Sequence, residues 1–201
     1  GAFFVQYYFK QRTIEIAEFL YHAWRNKSDD YIFHGAPELL IVDNDTALHS
    51  HMMMRLFKYL DIKIPEVEPE APRVKGTVEG FMRIWENWFE MNFLFEKSAS
   101  LEEINRWAYQ EAIRIQQKKI HRRHNMTRFS CWDSYIEGHL RELPPYEIYR
   151  QMLYSEAETR KIGKNGKLNY KGKEYTITDK ELHGWKVDVR VHPYSYNTDG
   201  I

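Results

Sequence analysis

Two carboxylates stand where this chain can do chemistry. Asp43 ends the apolar run Glu38-Leu39-Leu40-Ile41-Val42, and Glu79 closes the segment Pro72-Arg73-Val74-Lys75-Gly76-Thr77-Val78-Glu79, with 35 residues between the two acids. An apolar run bounded by Gly35 and Pro37 on one side and by Asp43-Asn44-Asp45 on the other predicts a buried strand. Asp43 then sits at a strand's C-terminal edge, where the ligand sites of open α/β sheets gather and where carboxylate oxygens can be offered to a ligand. Glu79 follows Gly76 and a Thr77 N-cap, and from there Phe81, Ile84, Trp85, Trp88 and Phe89 repeat at helical spacing. Glu79, Arg83, Glu86 and Glu90 share the opposite, polar face. Each acid also has a purely structural reading: Asp43 can open a turn, and Glu79 can offset the dipole of a helix first turn.

The neighbours decide between these readings. Leu40-Ile41-Val42-Asp43-Asn44, the 35-residue spacing, and Pro-Arg-x-Lys-Gly-x-Val-Glu around Glu79 together resemble the integrase-core transposases of bacterial insertion sequences and Mu-like phages. The resemblance implies a ribonuclease-H-like fold on which Asp, Asp and Glu hold two divalent metal ions. Asp43 matches the second Asp and Glu79 the Glu. A first Asp is expected on a strand before the one containing Phe3 to Phe9. This sequence does not contain it, so the catalytic set is expected to be incomplete and residues 1–201 inactive by themselves. Asp45 stands where the family usually has Gly, and is read as a solvated turn residue.

The chemistry so implied is phosphoryl transfer on DNA. It needs a nucleophilic oxygen activated, a leaving oxygen stabilised and phosphate charge offset, and two magnesium (or manganese) ions roughly 3.5–4 Å apart do all three. Magnesium takes oxygen ligands and keeps several waters, so a few carboxylates suffice. Asp43 would bind one metal, Glu79 the other, and the first Asp would bridge them. Arg73, Lys75 and Arg83 would contact DNA phosphates beside the site.

With 201 residues, 43% of them hydrophobic, the chain can bury a real core in one or two domains. A single cysteine, Cys131, excludes a disulfide framework and a Cys-rich zinc site, and fits a reducing cytoplasm. That agrees with the bacterial or phage origin the resemblance implies. No long apolar segment could span a membrane. The 29 basic and 29 acidic residues balance, but unevenly: residues 1–100 hold 11 and 15, leaving 18 and 14 for the rest. Arg114, Lys118, Lys119, Arg122, Arg123 and Arg128 form one acid-free run, and Arg160, Lys161, Lys164, Lys167, Lys171 and Lys173 a second group. Basic segments outside an acidic site suit a DNA-backbone partner, with Lys118, Lys119, Arg122, Arg123, Lys161 and Lys164 as its contacts.

The elements that must position these residues follow in order. Phe3 to Phe9 reads as a strand. Thr13 caps a helix through Arg25 with Ile14, Ala17, Leu20, Tyr21 and Trp24 on one face. Thr46 caps a second helix, about 47 to 60, bearing Leu48, Met52, Leu56 and Leu60. A short strand from Ile62 to Val67 is interrupted by Pro65, and 66–70 is an acidic, proline-rich loop. This alternation is α/β layering. Ser100-x-x-Glu103 is a capping box opening a helix to about Lys119. After Thr127 comes a helix that stops at Pro144-Pro145, then a short one from Tyr146 to Leu153.

From Ser155 the pattern alternates. Asn165-Gly166 offers a hairpin turn, Gly172 a second, and Lys186 to Val191 a strand of period two. The string Arg160-x-x-x-x-Asn-Gly-x-x-x-Tyr-x-Gly-x-x-Tyr175, then Val187-x-Val-x-Val-x-Pro193, resembles the C-terminal barrel of Mu-type transposases. His49 and His51 face different directions on one helix, and His121 and His124 lie in a basic run, so neither pair is read as a metal site. Trp85, Trp88, Trp107 and Trp132 are read as core, and Cys131 as a small buried hydrophobe. The expected architecture is an α/β ribonuclease-H-like core over 1–98, a helical connection over 99–153 and a small all-β barrel over 154–201. The expected function is metal-dependent 3′-end nicking and strand transfer by a homo-oligomer on element ends and target DNA. The competing class is a catalytically inactive DNA-binding or assembly module derived from such an enzyme.

Overall fold

The chain's structure is a computed structural model that describes residues 2–10, 12–28, 30–42, 46–65, 72–91, 99–121, 124–135 and 140–192. It divides into two compact units, 1–149 and 150–201.

The first unit opens with the aromatic segment expected as a strand. Residues 2–8 join no ladder. Side-chain amides take the place of a neighbouring strand: Phe3 N–H donates to Gln116 Oε1 (2.9 Å), while Asn105 accepts from Tyr7 N–H (2.6 Å) and donates to Tyr7 C=O (3.0 Å). Buried backbone groups must be paired, and an amide side chain carries the donor and acceptor that a strand would supply. Helix α1 spans Thr13–Trp24 and buries Ile14, Ala17 and Leu20. Its N-cap is Arg12, which makes no side-chain cap bond, so Thr13 is the first helical residue rather than the cap.

Helix α2 spans His51–Tyr59 and is shorter than expected, because Ser50 and not Thr46 is the cap: Ser50 Oγ accepts from Met53 N–H. It buries Met53, Leu56 and Phe57. Helix α3 spans Pro72–Trp85. It begins five residues before Thr77, the expected cap, because proline is tolerated in a first turn, where its missing N–H has no partner to lose. The helix then widens into a π turn, Glu86–Glu90. The acidic loop expected over 66–70 lies outside the described residues.

Helix α4, Leu101–Lys118, carries the expected capping box, with Ser100 Oγ accepting from Glu103 N–H and the Glu103 carboxylate reaching back to Ser100 N–H. Trp85 and Phe89 pack on Ala108, Ala112 and Ile115, with Phe3, Val5 and Tyr7 against them. The small alanines let α3 approach α4 closely. A two-stranded ribbon, β1 (Ile120–His121) with β2 (Met126–Thr127), leads to α5, Arg128–Tyr135. Helix α6, Tyr146–Met152, follows Pro144-Pro145; its Tyr149 donates to Ala17 C=O (2.7 Å) in the first unit.

The second unit contains strands β3 (Glu158–Lys161), β4 (Lys167–Tyr170), β5 (Lys173–Thr176) and β6 (Lys186–Val189), paired antiparallel as β3–β6 and β4–β5. The Lys171-Gly172 loop has φ of 47° and 78°, both positive, as a type I′ hairpin turn requires. The expected Asn165-Gly166 turn forms, but it joins strands of different ladders. Ile162, Leu168 and Tyr170 are buried, with Val187, Val189 and Val191 packed on them, which is the inward face of the period-two pattern. Among the described residues the sheets close into no barrel.

Candidate functional site

The backbone before Asp43 is held by the segment that follows α2. Lys63 N–H donates to Glu38 C=O and Leu40 N–H to Lys63 C=O, 2.9 Å each, which makes Leu39 and Lys63 a parallel bridge. Two segments bridged in parallel and joined through a helix have the connectivity of a β-α-β crossover, here with a single bridge. Arg141 fastens both ends of it, donating to Pro37 C=O (2.9 Å) and to Leu60 C=O. The expectation of a buried strand is corrected here: Leu39 and Ile41 are 53% and 46% exposed. They are alternate residues on one face, and no other strand covers that face among the described residues.

Asp43 itself lies outside the described residues. Glu79 lies on α3 with an exposed side chain, and Arg83, one turn further, is exposed beside it. Arg73 and Lys75 belong to the first turn of the same helix, but their side chains lie outside the described ones, as do Arg122 and Arg123. The shared polar face holds for Glu79, Arg83 and Glu86. Glu90 departs from it: the Tyr7 hydroxyl donates to its Oε1 at 2.8 Å.

Two apolar positions also move. Ile84 and Trp88, expected in the core, are 42% and 55% exposed, whereas Trp85 and Phe89 are buried. The π turn accounts for Trp88, because a wider turn keeps residue i+4 over residue i and swings i+3 outward. Lys119, at the end of α4, lies over the outward Trp88 ring with its Nζ 4.9 Å from the centroid. No sequence signal distinguishes a π turn here from an ordinary one, so this pair was not foreseen. Trp107 and Trp132 are half-buried, and so is Cys131.

Ion pairing sorts the basic residues in a way that composition could not. Arg114 forks onto Glu111 through two bonds of 2.7 and 2.5 Å, Arg160 pairs with Glu158 and Lys167 with Glu174, each at 2.5 Å. Arg83, Lys118, Lys161 and Lys164 make no ion pair among the described residues, and all four are exposed. These four of the predicted DNA contacts are left available to an external anion.

The rings of His121 and His124 lie 5.0 Å apart across the β1–β2 turn. Among the described residues no three His, Cys, Asp or Glu side chains converge as a cation site, and no helix is long and apolar enough to cross a membrane.

No protein-family model matches the chain, and no curated protein does. Among solved structures it is similar to a chain of the cryo-EM structure of the simian T-cell lymphotropic virus intasome in complex with PP2A regulatory subunit B56 gamma. The two are 17% identical with a TM-score of 0.49, over 90% of this chain and 55% of that one. The chain spans about half the length of that structure's chain.

Proposed function

We propose that this chain is part of a DNA transposase of the three-acid, ribonuclease-H-like type, with a small β-barrel after its catalytic core. The observation that supports the reading is the parallel bridge between Leu39 and Lys63, which sets the run before Asp43 beside the segment after α2 as a β-α-β unit would. A carboxylate at the C-terminal end of such a strand is in the position where α/β sheets hold ligands. Glu79, exposed on the helix that follows, is the second oxygen donor of the set.

The donor set fits divalent magnesium or manganese, since both side chains offer hard oxygen and the exposed Glu79 leaves room for retained water. When bound, two such ions would activate the attacking oxygen and stabilise the leaving one. Asp43 and Glu79 would hold them. Arg83, one turn from Glu79 and free of any acid among the described residues, would hold a DNA phosphate next to the reacting one. In the intact enzyme, water attacks the phosphodiester at an element end and the bond to the 3′ oxygen breaks, releasing a 3′ hydroxyl. That hydroxyl then attacks a target phosphodiester, forming one new bond to phosphorus as the target's own 3′ oxygen leaves with a proton.

The same free cations would serve a catalytically inactive DNA-binding or assembly module, so the test is made on the carboxylates. Manganese(II) is titrated into the protein and into D43N and E79Q, and the free ion is followed by electron paramagnetic resonance. The transposase reading expects sequestration that both substitutions weaken. Equal binding by all three proteins would reject the assignment of Asp43 and Glu79, and unaltered DNA binding beside it would favour the inactive module.

A further inference from the structure

A cavity of about 370 Å³ opens in the first unit between the amino-terminal segment, the end of α1 and the middle of α4. It shares no residue with the carboxylate site. Its wall carries His22, Arg25 and Lys27, flanked by Gln6, Phe4 and Tyr109, and among the described residues no carboxylate lines it.

Lys27 is locked in place. Its ammonium donates to the carbonyls of Ala23 (2.6 Å), Arg25 (3.1 Å) and Phe33 (3.3 Å), and lies 4.6 Å from the centre of the Tyr31 ring and 5.1 Å from that of Phe4. Three carbonyls use all three of its protons, so it contributes positive field rather than a direct contact. Burial, and then Arg25, push its pKa down to about 7, so an anion nearby would strengthen its charge. Burial, Arg25 and Lys27 likewise push His22 down. Glu18 lies 3.9 Å from His22 and is the one acid that pairs with any of the three among the described residues. Arg25 is exposed, and its guanidinium has no acid partner among the described residues.

Like charges gathered around a concave space, one fixed by carbonyls and one with its donors free, are a frustrated arrangement that an anion relieves. We propose that this cavity binds the phosphate of a phosphate ester, held by the Arg25 fork in the field of Lys27, with Phe4 and Tyr109 as its apolar wall. The guanidinium fork matches a phosphate through two parallel bonds, which a spherical anion cannot accept. A space of this size lies within the range of small-ligand sites and holds more than a bare phosphate. The proposal is independent of the transposase reading, since nothing in it uses Asp43 or Glu79.

The test titrates inorganic phosphate into the full chain and follows the Arg25 Nε–H and the Gln6 and Asn105 side-chain amides by NMR. Saturable shifts at all three are expected. R25A should weaken binding at least about tenfold, the loss expected of a charge-assisted fork. R25K, which keeps the charge without the fork, should fall in between, and K58A, which removes an exposed charge of α2 outside the cavity lining, should leave the affinity unchanged. Separate arms use thymidine monophosphate and a 12-base-pair duplex. Tighter binding of the nucleotide assigns the cavity to a free nucleotide, and displacement of phosphate by the duplex assigns it to a DNA backbone. Absence of shifts in the cavity, equal affinity in R25A, or phosphate binding that neither ester displaces would overturn the proposal.

Discussion

The Tyr7 hydroxyl donates to Glu90 Oε1 at 2.8 Å and in the same position accepts from the Trp85 indole N–H, also at 2.8 Å. This short chain of polar groups crosses the contact between the amino-terminal segment and α3, and it draws Glu90 off the helix face that carries Glu79. Tyr7→Phe leaves an indole donor and a carboxylate without their shared partner. A loss of about 1–3 kcal/mol is expected, read from urea unfolding followed by tryptophan fluorescence. Burial raises the Tyr7 phenol well above its ordinary value, and raises Tyr31 and Tyr149 in the same direction. A folded state that holds its phenolic protons more tightly than the unfolded one loses stability as pH climbs past about 10. The contribution is therefore complete below pH 10 and declines above it. Tyr7→Phe should show a shallower alkaline decline than the wild type; an unchanged decline would remove Tyr7 from that account.

Much of this was open to reading from the residues. Ser100 and Glu103 carry their capping box wherever the helix packs, and Val187, Val189 and Val191 declare an inward face by period alone. Local chemistry suffices in both cases. What failed to show depended on partners far along the chain or on choices between near-equivalent local signals. The segment from Phe3 to Phe9 was recognisable as extended, but its partners are Asn105 and Gln116, about a hundred residues away. Thr46 and Ser50 are similar caps, and the one nearer the buried Met53 prevails. Asp43 was singled out by type and spacing, and its position lies outside the described residues.

Asn105 gives the second prediction. Its side chain occupies both polar groups of Tyr7's backbone, so Asn105→Leu keeps the volume but removes the substitute for a strand. Amide exchange at Tyr7 should accelerate while that within α4 stays slow. Unchanged protection at Tyr7 would mean that the segment is held by its packed aromatic rings alone.

Two glycines predict opposite outcomes. A Cβ on Gly80 meets nothing within 4 Å, so Gly80→Ala in α3 should stabilise by about 0.5–1 kcal/mol. At Gly166, φ is +76° and a Cβ would stand 2.6 Å from His183 Nε2 and 3.0 Å from Ile177 C=O. Gly166→Ala should cost roughly 1–2 kcal/mol for the left-handed backbone, with the contact added. Thermal melts of both variants check the pair. If Gly80→Ala stabilises yet weakens DNA binding, the bare backbone of α3 is itself a contact surface.

The last prediction uses the sorting of cations by ion pairing. Lys161 and Lys164 are exposed and make no ion pair among the described residues, whereas Arg160 and Lys167 of the same unit are each held by a glutamate at 2.5 Å. Exposed ion pairs are weak, so a phosphate can compete for them, but a paired cation must first give up its carboxylate and leave that acid beside the DNA. Free lysines therefore dominate the response to salt. Affinity for duplex DNA should fall with salt by a log–log slope of about 0.9 for each phosphate neutralised. Replacing Lys161 and Lys164 by Ala should flatten that slope by about 1.8 and weaken unrelated duplexes about equally, because backbone contacts carry little base recognition. Replacing Lys118 together with Arg83 should do the same for the first unit. Lys167→Ala should change the slope by much less, since it removes a charge already offset. Fluorescence anisotropy from 50 to 300 mM salt reads all of these, with sedimentation beside it. An unchanged slope in the Lys161 and Lys164 variant, accompanied by altered sedimentation, would place these lysines at a contact between subunits instead of on DNA.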